Sequence, residues 1–230
     1  MPGRYSPINP VALSTSIPSP NVSLHSSSQA AIAVSAIVGT NADLMKNAAQ
    51  LWIRPTDVIL DSTYGRGAFW TKLPGMPTYA HDLITDGVDC RKLPEPDCSC
   101  DVVVIDPPYR PTHRSKGFEL SGNSLASSYQ LGSHSLDTIM DVLDLYEGAI
   151  GEAERVLKRG GRVLVKCQDL SYDHRLHLVT LDVLRLMTKY YLHFADQFIL
   201  VNTQRLTSPK WEEQERARRS HSVLWVGVKE

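Results

Sequence analysis

Between Asp57 and Lys229, short apolar runs alternate with helix-length spacers, and that alternation leaves few folds open. Strands are predicted at Asp57–Thr63, Thr78–Asp82, Asp101–Asp106, Arg162–Cys167, His193–Val201 and Ser222–Lys229. A run such as DVVVID, Asp101–Asp106, is apolar at every interior position instead of alternating with polar residues. Both of its faces are therefore buried, as in a parallel sheet covered by helices on two sides. A helix is predicted over Asn41–Trp52, with Asn41 as N-cap, Leu44, Ala48, Leu51 and Trp52 on one face, and Pro55 as the stop. A longer one is predicted over Ser135–Lys158, with Ile139, Val142, Leu143, Tyr146, Ile150, Ala153 and Leu157 on its stripe. KRGG, Lys158–Gly161, closes it with a basic last turn and a glycine cap. A third helix is expected over Leu176–Tyr190, and the alanine-rich QAAIAVSAIV, Gln29–Val38, is also read as helical. No clear helix separates the last two strands, so they form a hairpin and the final strand runs antiparallel.

Residues 1–28 stand apart. They hold five of the 14 prolines and eight serines with scarcely any charge. Such a segment buries too little apolar surface to offset its ordering entropy, so it is read as a flexible tail, or an arm that orders on a partner, preceding a single domain over residues 29–230. The formal net charge of −1 excludes a globally basic protein, so any nucleic-acid contact must come from a local patch. Cys90, Cys98, Cys100 and Cys167 fit a reducing compartment. They form no CxxC pair, so they are read as apolar fillers and no metal is expected. No run is long and apolar enough for a membrane span, and the N-terminus lacks the apolar core of a signal peptide. A cytoplasmic location is expected.

In open parallel sheets, ligands bind beyond the carboxyl ends of the strands, and three of these ends carry chemistry. The first is LDSTYGRGAFW, Leu60–Trp70, a strand, a tight glycine loop and the start of a helix. Its candidate ligand-binding residues are Asp61, Ser62, Thr63, Tyr64, Gly65 and Gly67. Gly65 supplies an unusual backbone angle, and Gly67 allows close approach at a helix N-terminus. A nicotinamide site would place a third glycine where Trp70 stands, so the fit to that motif is poor. The second end carries Asp82, 21 residues after Asp61, where a carboxylate can accept from both hydroxyls of a ribose. Asp89, in the next short segment, could face an adenine amino group.

The third end is DPPY, Asp106–Tyr109. An exocyclic amino group on a base is a poor nucleophile because its lone pair is delocalised into the ring. Acceptors at both of its N–H groups favour a more reactive nitrogen. The Asp106 carboxylate can take one N–H and the Pro107 carbonyl the other, while Pro107 and Pro108 fix the main-chain direction. Tyr109 can stack on a base that is unpaired or flipped out.

With these residues the chain resembles the class I S-adenosylmethionine-dependent amino-methyltransferases. Asp61, Gly65 and Gly67 match the cofactor loop, Asp82 the ribose carboxylate, and Asp106–Tyr109 the catalytic motif. RVLKRGGRVLVKCQD is similar to the helix–GG–strand segment that follows it. DSTYGRGAFW, DPPY and VKCQD together look like small methylases of actinobacteria and their phages. The resemblance covers roughly residues 41–229. It implies a Rossmann-like sheet of seven strands in the order 3-2-1-4-5-7-6 with strand 7 antiparallel. It further implies S-adenosyl-L-methionine as cofactor and direct methyl transfer to N6 of adenine or N4 of cytosine, without metal or covalent intermediate. The aspartate of DPPY leans toward adenine in DNA by family association. The family's phenylalanine early in the loop is replaced by the nearby Tyr64, and no separate target-recognition domain is evident. An RNA base is therefore an alternative substrate, and a protein partner or self-association is a possible source of target recognition. A cofactor-binding partner without catalysis is the alternative from another class.

Two basic loops are candidates for the polymer. One follows Tyr109 with Arg110, His113, Arg114 and Lys116; the other holds Arg205, Lys210, Arg216, Arg218 and Arg219 around Trp211. Glu212, Glu213 and Glu215 could instead neutralise the second loop as a solvated helix. Lys166, Gln168 and Asp169 should lie beside the pocket, positioning the base or satisfying loop backbone. Residues 117–134 read as a lid, in which Tyr129 could touch substrate.

Overall fold

The computed structural model of the protein describes residues 32–111, 136–202, 217 and 219–230. The predicted tail at 1–28 and the predicted lid at 117–134 lie outside the described residues. In chain order the elements are β1 (Ala36–Val38), α1 (Asn41–Trp52), β2 (Ile59–Asp61), β3 (Tyr79–Ala80), β4 (Cys100–Ile105) and α2 (Ile139–Val156). They continue with β5 (Leu157–Cys167), β6 (Leu170–Tyr172), β7 (Arg175–His177), α3 (Val179–Lys189), β8 (Leu192–Val201) and β9 (His221–Lys229).

The seven-stranded sheet has the order β1-β8-β9-β5-β4-β2-β3. Every neighbour pair is parallel except those of β9, which is antiparallel to both β5 and β8. This is the expected Rossmann-like mixed sheet. From β3 to β8 it follows the implied order from its second strand onward, with the reversed strand in place. The seventh strand is β1, beyond β8. Between β3 and β4 the chain makes turns and bends.

Alternation along the buried strands divides the core. Val103 and Ile105 of β4 and Val163 and Val165 of β5 pack on Val142, Tyr146 and Ile150 of α2 and on Val183 and Met187 of α3. Val102, Val104 and Leu164 point the other way, onto Leu44, Met45 and Ala48 of α1 and onto Phe69 and Trp70. Both α1 and α2 start with reciprocal capping boxes, Thr40 with Asp43 and Thr138 with Asp141. No helix among the described residues is long and apolar enough to cross a membrane.

Five local expectations are corrected. The N-cap of α1 is Thr40, not Asn41, because the Thr40 hydroxyl accepts the N–H of Asp43. The buried face of α1 includes Met45 and Ala49, whereas Leu51 is 46% exposed. The segment Gln29–Val38 is not a helix where it is described: Ala36–Val38 pairs with Ile199–Val201 as an edge strand. KRGG does not cap α2, which ends at Val156. The carbonyls of Arg155 and Val156 instead accept the N–H groups of Cys98 and Ser99 at 3.0 and 2.8 Å, which draws the chain directly into β5. Gly160, at φ 74°, forms a bulge there, and the register jumps from Cys100↔Leu157 to Val102↔Arg162. Finally, the predicted helix beginning at 176 starts at Val179. It is preceded by the β6–β7 hairpin, whose turn residues Asp173 and His174 both take positive φ.

Candidate active site

Because β3, β2 and β4 are parallel neighbours, their carboxyl ends lie side by side, and the loops that follow meet in one cleft. The cleft is lined by Ser62 and Thr63 after β2, by Asp82, Leu83, Val88, Asp89, Cys90 and Arg91 after β3, and by Pro107 and Pro108 after β4. Leu136 and Leu145 add apolar surface. Two of the three loaded strand ends thus share one cavity with the prolines of the third.

The first loop does not open a helix. Three tight turns follow one another, with Gly67 N–H donating to the Tyr64 carbonyl, Trp70 to Gly67, and Leu73 to Trp70. The turns serve Trp70, whose Nε1–H donates to Asp61 Oδ2 at 2.6 Å. Asp61 Oδ1 accepts from the Thr63 N–H at 2.9 Å. Burial pushes the Asp61 carboxyl up to about 7, and the hydrogen bonds from Trp70 and Thr63 pull against that. Asp61 is therefore the organiser of the loop, with both oxygens engaged inside the protein. Trp70, which spoils the nicotinamide motif, is its partner, a role that sequence spacing does not signal.

Tyr64 and Gly67 form a second pair. A Cβ on Gly67 would lie 2.5 Å from the Tyr64 hydroxyl, so the ring closes over the glycine, which itself sits at φ 68°. Gly65, at φ 55°, faces Asp82: a Cβ there would lie 4.0 Å from Asp82 Oδ2. Asp82 is 4% exposed. Its Oδ1 accepts the N–H groups of Ile84 and Thr85 at 3.0 and 3.3 Å, and its Oδ2 has no hydrogen-bond partner among the described residues. A nearly buried carboxylate on the cleft wall, beside a glycine, can accept hydrogen bonds from the hydroxyls of a ligand.

The Asp82 wall is held from behind by His81. One ring nitrogen meets Asp86 and the other Glu95, each at 2.8 Å. Asp86 in turn accepts the backbone N–H groups of Asp82 and Val88. Burial pushes the His81 imidazolium down, but its hydrogen bonds to Asp86 and Glu95 carry it above its usual value. Asp89 is held by Arg91, which reaches both carboxylate oxygens. Cys90 also lines the cleft, and burial pushes its thiol up to about 12, so it stands there as a neutral apolar group.

The DPPY strand end is tied to the glycine loop: the Asp106 N–H donates to Thr63 Oγ1 at 2.7 Å. Ser62, 2% exposed, ties β2 to β4 by donating to the Val104 carbonyl. Register places Val165 opposite Ile105, so Lys166 comes up beside Asp106. Its Nζ lies 3.1 and 3.3 Å from the two Asp106 oxygens. The same ammonium lies 5.5 Å from the centre of the Tyr109 ring and 5.7 Å from that of Phe69. Burial pushes the Lys166 ammonium down, and the Asp106 carboxylate and Tyr109 push it up by more, leaving it above its usual range.

Among the other candidates, Gln168 satisfies loop backbone, donating to the carbonyls of Arg219 and His221. Asp169 accepts from both the N–H and hydroxyl of Thr180 at the start of α3. The β8–β9 pairing brings Asn202 and Ser220 to the same sheet edge as DPPY, with the Asn202 N–H donating to the Ser220 carbonyl. Arg219 stands at that edge, and its buried Nε has no hydrogen-bond partner among the described residues. Arg110 is exposed at the end of the DPPY segment. Arg114, Lys116, Tyr129, Lys210, Trp211 and Arg218 lie outside the described residues.

No protein-family model matches the chain, and no curated protein matches it significantly. Similar solved structures exist. A candidate DNA modification methylase from Thermus thermophilus, complexed with S-adenosyl-L-methionine, is 20% identical with a TM-score of 0.40, over 61% of this chain and 53% of that one. The PvuII DNA methyltransferase, cytosine-N4-specific, is 19% identical with a TM-score of 0.42, over 60% and 45%. A Burkholderia thailandensis 1,6-didemethyltoxoflavin-N1-methyltransferase is 15% identical with a TM-score of 0.43, over 82% and 76%. The match spans about half the length of the first two proteins.

Proposed function

We propose that this chain is an S-adenosylmethionine-dependent methyltransferase acting on the exocyclic amino group of a nucleic-acid base, with N6 of adenine in DNA as the favoured target. The observation that carries the reading is the shared cleft. It joins the Asp82 carboxylate, with one oxygen free of partners among the described residues, to the rigid Pro107–Pro108 turn that follows Asp106.

The residues fit the cofactor. Asp82 Oδ2 offers the ribose an acceptor, Gly65 leaves room beside it, and Val88, Leu136 and Leu145 give an adenine ring apolar walls. Bound there, S-adenosylmethionine supplies a methyl group on a sulfonium sulfur, and transfer forms one nitrogen–carbon bond as one carbon–sulfur bond breaks with its electron pair left on sulfur. The protein's part is to hold the acceptor nitrogen. Asp106 and the Pro107 carbonyl accept its two N–H groups, and the surplus proton leaves toward Asp106 or water. Tyr109 provides a face for the base.

The test is methyl transfer from labelled cofactor to DNA, RNA and protein pools, followed by nucleoside analysis. Label in N6-methyladenine from DNA is the expected result, and Asp106→Ala lowers it at least ~100-fold. Label in N4-methylcytosine or in an RNA base moves the target and keeps the chemistry. Cofactor binding without transfer to any pool assigns the chain to the non-catalytic alternative, and absence of cofactor binding overturns the reading.

A further inference from the structure

Among the described residues, Lys166 is the one lysine that the fold buries almost completely at the catalytic edge, at 4% exposure. A lysine loses its hydration when buried, and only a paired partner offsets that penalty. Its main chain is fixed twice. Its N–H and carbonyl belong to β5, between β4 and β9, and its carbonyl accepts the buried Tyr146 hydroxyl at 2.8 Å. The side chain follows Leu164 onto the face where Phe69 and Trp70 pack. Among the described residues, two kinds of partner meet its ammonium: both oxygens of Asp106, and the rings of Phe69 and Tyr109.

We propose that Lys166 is a positioning residue that sets the Asp106 carboxylate and the Tyr109 ring as one unit before the acceptor base arrives. The inference rests on the methyl-transfer reading of the site. A carboxylate has more acceptor positions than one ammonium fills, so Asp106 can hold Lys166 and still accept an amino N–H. A free carboxylate could rotate between rotamers; one bridged on both oxygens cannot do so without giving up the pair. Tyr109 is drawn to the same ammonium through its ring face, so the acceptor and the stacking platform share one anchor. The ammonium stays protonated, which excludes Lys166 as the base that removes the amino proton. Its burial likewise excludes a phosphate-contact role at the surface.

The test uses Lys166→Met and Lys166→Arg in the full chain. Lys166→Met keeps an unbranched apolar stem in the slot and removes the charge. Its expected effect is a fall in kcat of about 100-fold, as for a displaced reacting group. The cofactor Kd should stay within about 2-fold, because Lys166 meets Asp106, Tyr109 and Phe69 and not Asp82, Gly65 or Gly67. Lys166→Arg retains the cation and should recover at least about 10-fold of the loss. A transfer rate for Lys166→Met near that of the unaltered chain overturns the proposal, and so does an equal loss in both variants. A second measurement needs no turnover: equilibrium unfolding of Lys166→Met, Asp106→Asn and the double variant. Asp106→Asn strands the buried Lys166 ammonium and Lys166→Met leaves the partly buried Asp106 carboxylate unpaired, so the double variant is expected to be no less stable than the worse single one. Strictly additive losses show that the pair is not coupled and overturn the proposal even if transfer is observed. A coupled pair in a chain that binds cofactor but transfers to no pool overturns the catalytic role and leaves the pair structural. Failure of the function reading itself appears separately, as absent cofactor binding in the unaltered chain.

Discussion

Asp61 illustrates how a single residue sets the pH behaviour of the loop. Its carboxyl stands at about 7 when folded, against 3.8 as its reference. Between those values the folded chain holds a proton that the unfolded chain releases. Stability from this group is therefore full below the reference value and is lost as pH rises through about 7. The Trp70 N–H restrains that loss by supporting the ionised form. Trp70→Phe should destabilise the protein by about 1–3 kcal/mol, the cost of stranding a buried acceptor. The loss should be larger at pH 8.5 than at pH 5, and denaturant unfolding at the two pH values checks it. At this scale the sequence displayed the groups proposed to face a ligand: Asp82, Gly65 and the DPPY run stand out by type and spacing. It hid the pairings that hold the site together. Trp70 bonds to Asp61, Thr63 to Asp106 and Lys166 to Asp106, and each pairing depends on a turn or a strand register that residue order alone does not fix.

At the scale of elements, the loop from His81 to Arg91 is a wall whose shape depends on one imidazolium between two carboxylates. The folded His81 titrates above its usual value, so its contribution is complete below about 6.5 and is lost as pH rises through the raised value. His81→Gln should weaken cofactor binding by about 10-fold below pH 6.5, as the charge-assisted contacts to Asp86 and Glu95 are lost. It should also flatten the dependence of affinity on pH, which calorimetry across pH 6 to 9 measures. The β5 bulge gives a contrasting case. Gly160 lies at the amino end of its strand, away from the cleft, and a Cβ would meet nothing within 4 Å. Gly160→Ala should cost about 1–2 kcal/mol through its positive φ alone and leave cofactor affinity unchanged. Thermal unfolding together with calorimetry separates the two effects. Element types were legible where apolar patterning was strong, as in β4, α2 and the β8–β9 hairpin. They were not legible where a tertiary partner decided the outcome: Ala36–Val38, at the end of the alanine-rich run, is recruited by β8, and KRGG by β4.

For the whole molecule, the parallel order of β2, β4 and β5 makes one site from residues far apart in sequence. Alternating strands and helices predicted that edge, and the reversed β9 was predicted because the sequence before it carries no clear helical pattern. The edge strand β1 and the β6–β7 hairpin were not foreseen. The first is only three residues long, and the second turns on an Asp–His pair in a left-handed conformation that neither residue announces.

The place of β9 also bears on how the chain is made. It follows every other described strand in sequence, yet it sits between β5 and β8 and pairs with both along most of its length. Until the ribosome has delivered residues 221–229, the nascent sheet is split into two portions, each presenting an open strand edge to its neighbours. Such edges pair readily with other chains. The step that joins the halves is therefore also the step that hides them, and translation that stalls before His221 leaves the molecule most prone to aggregate.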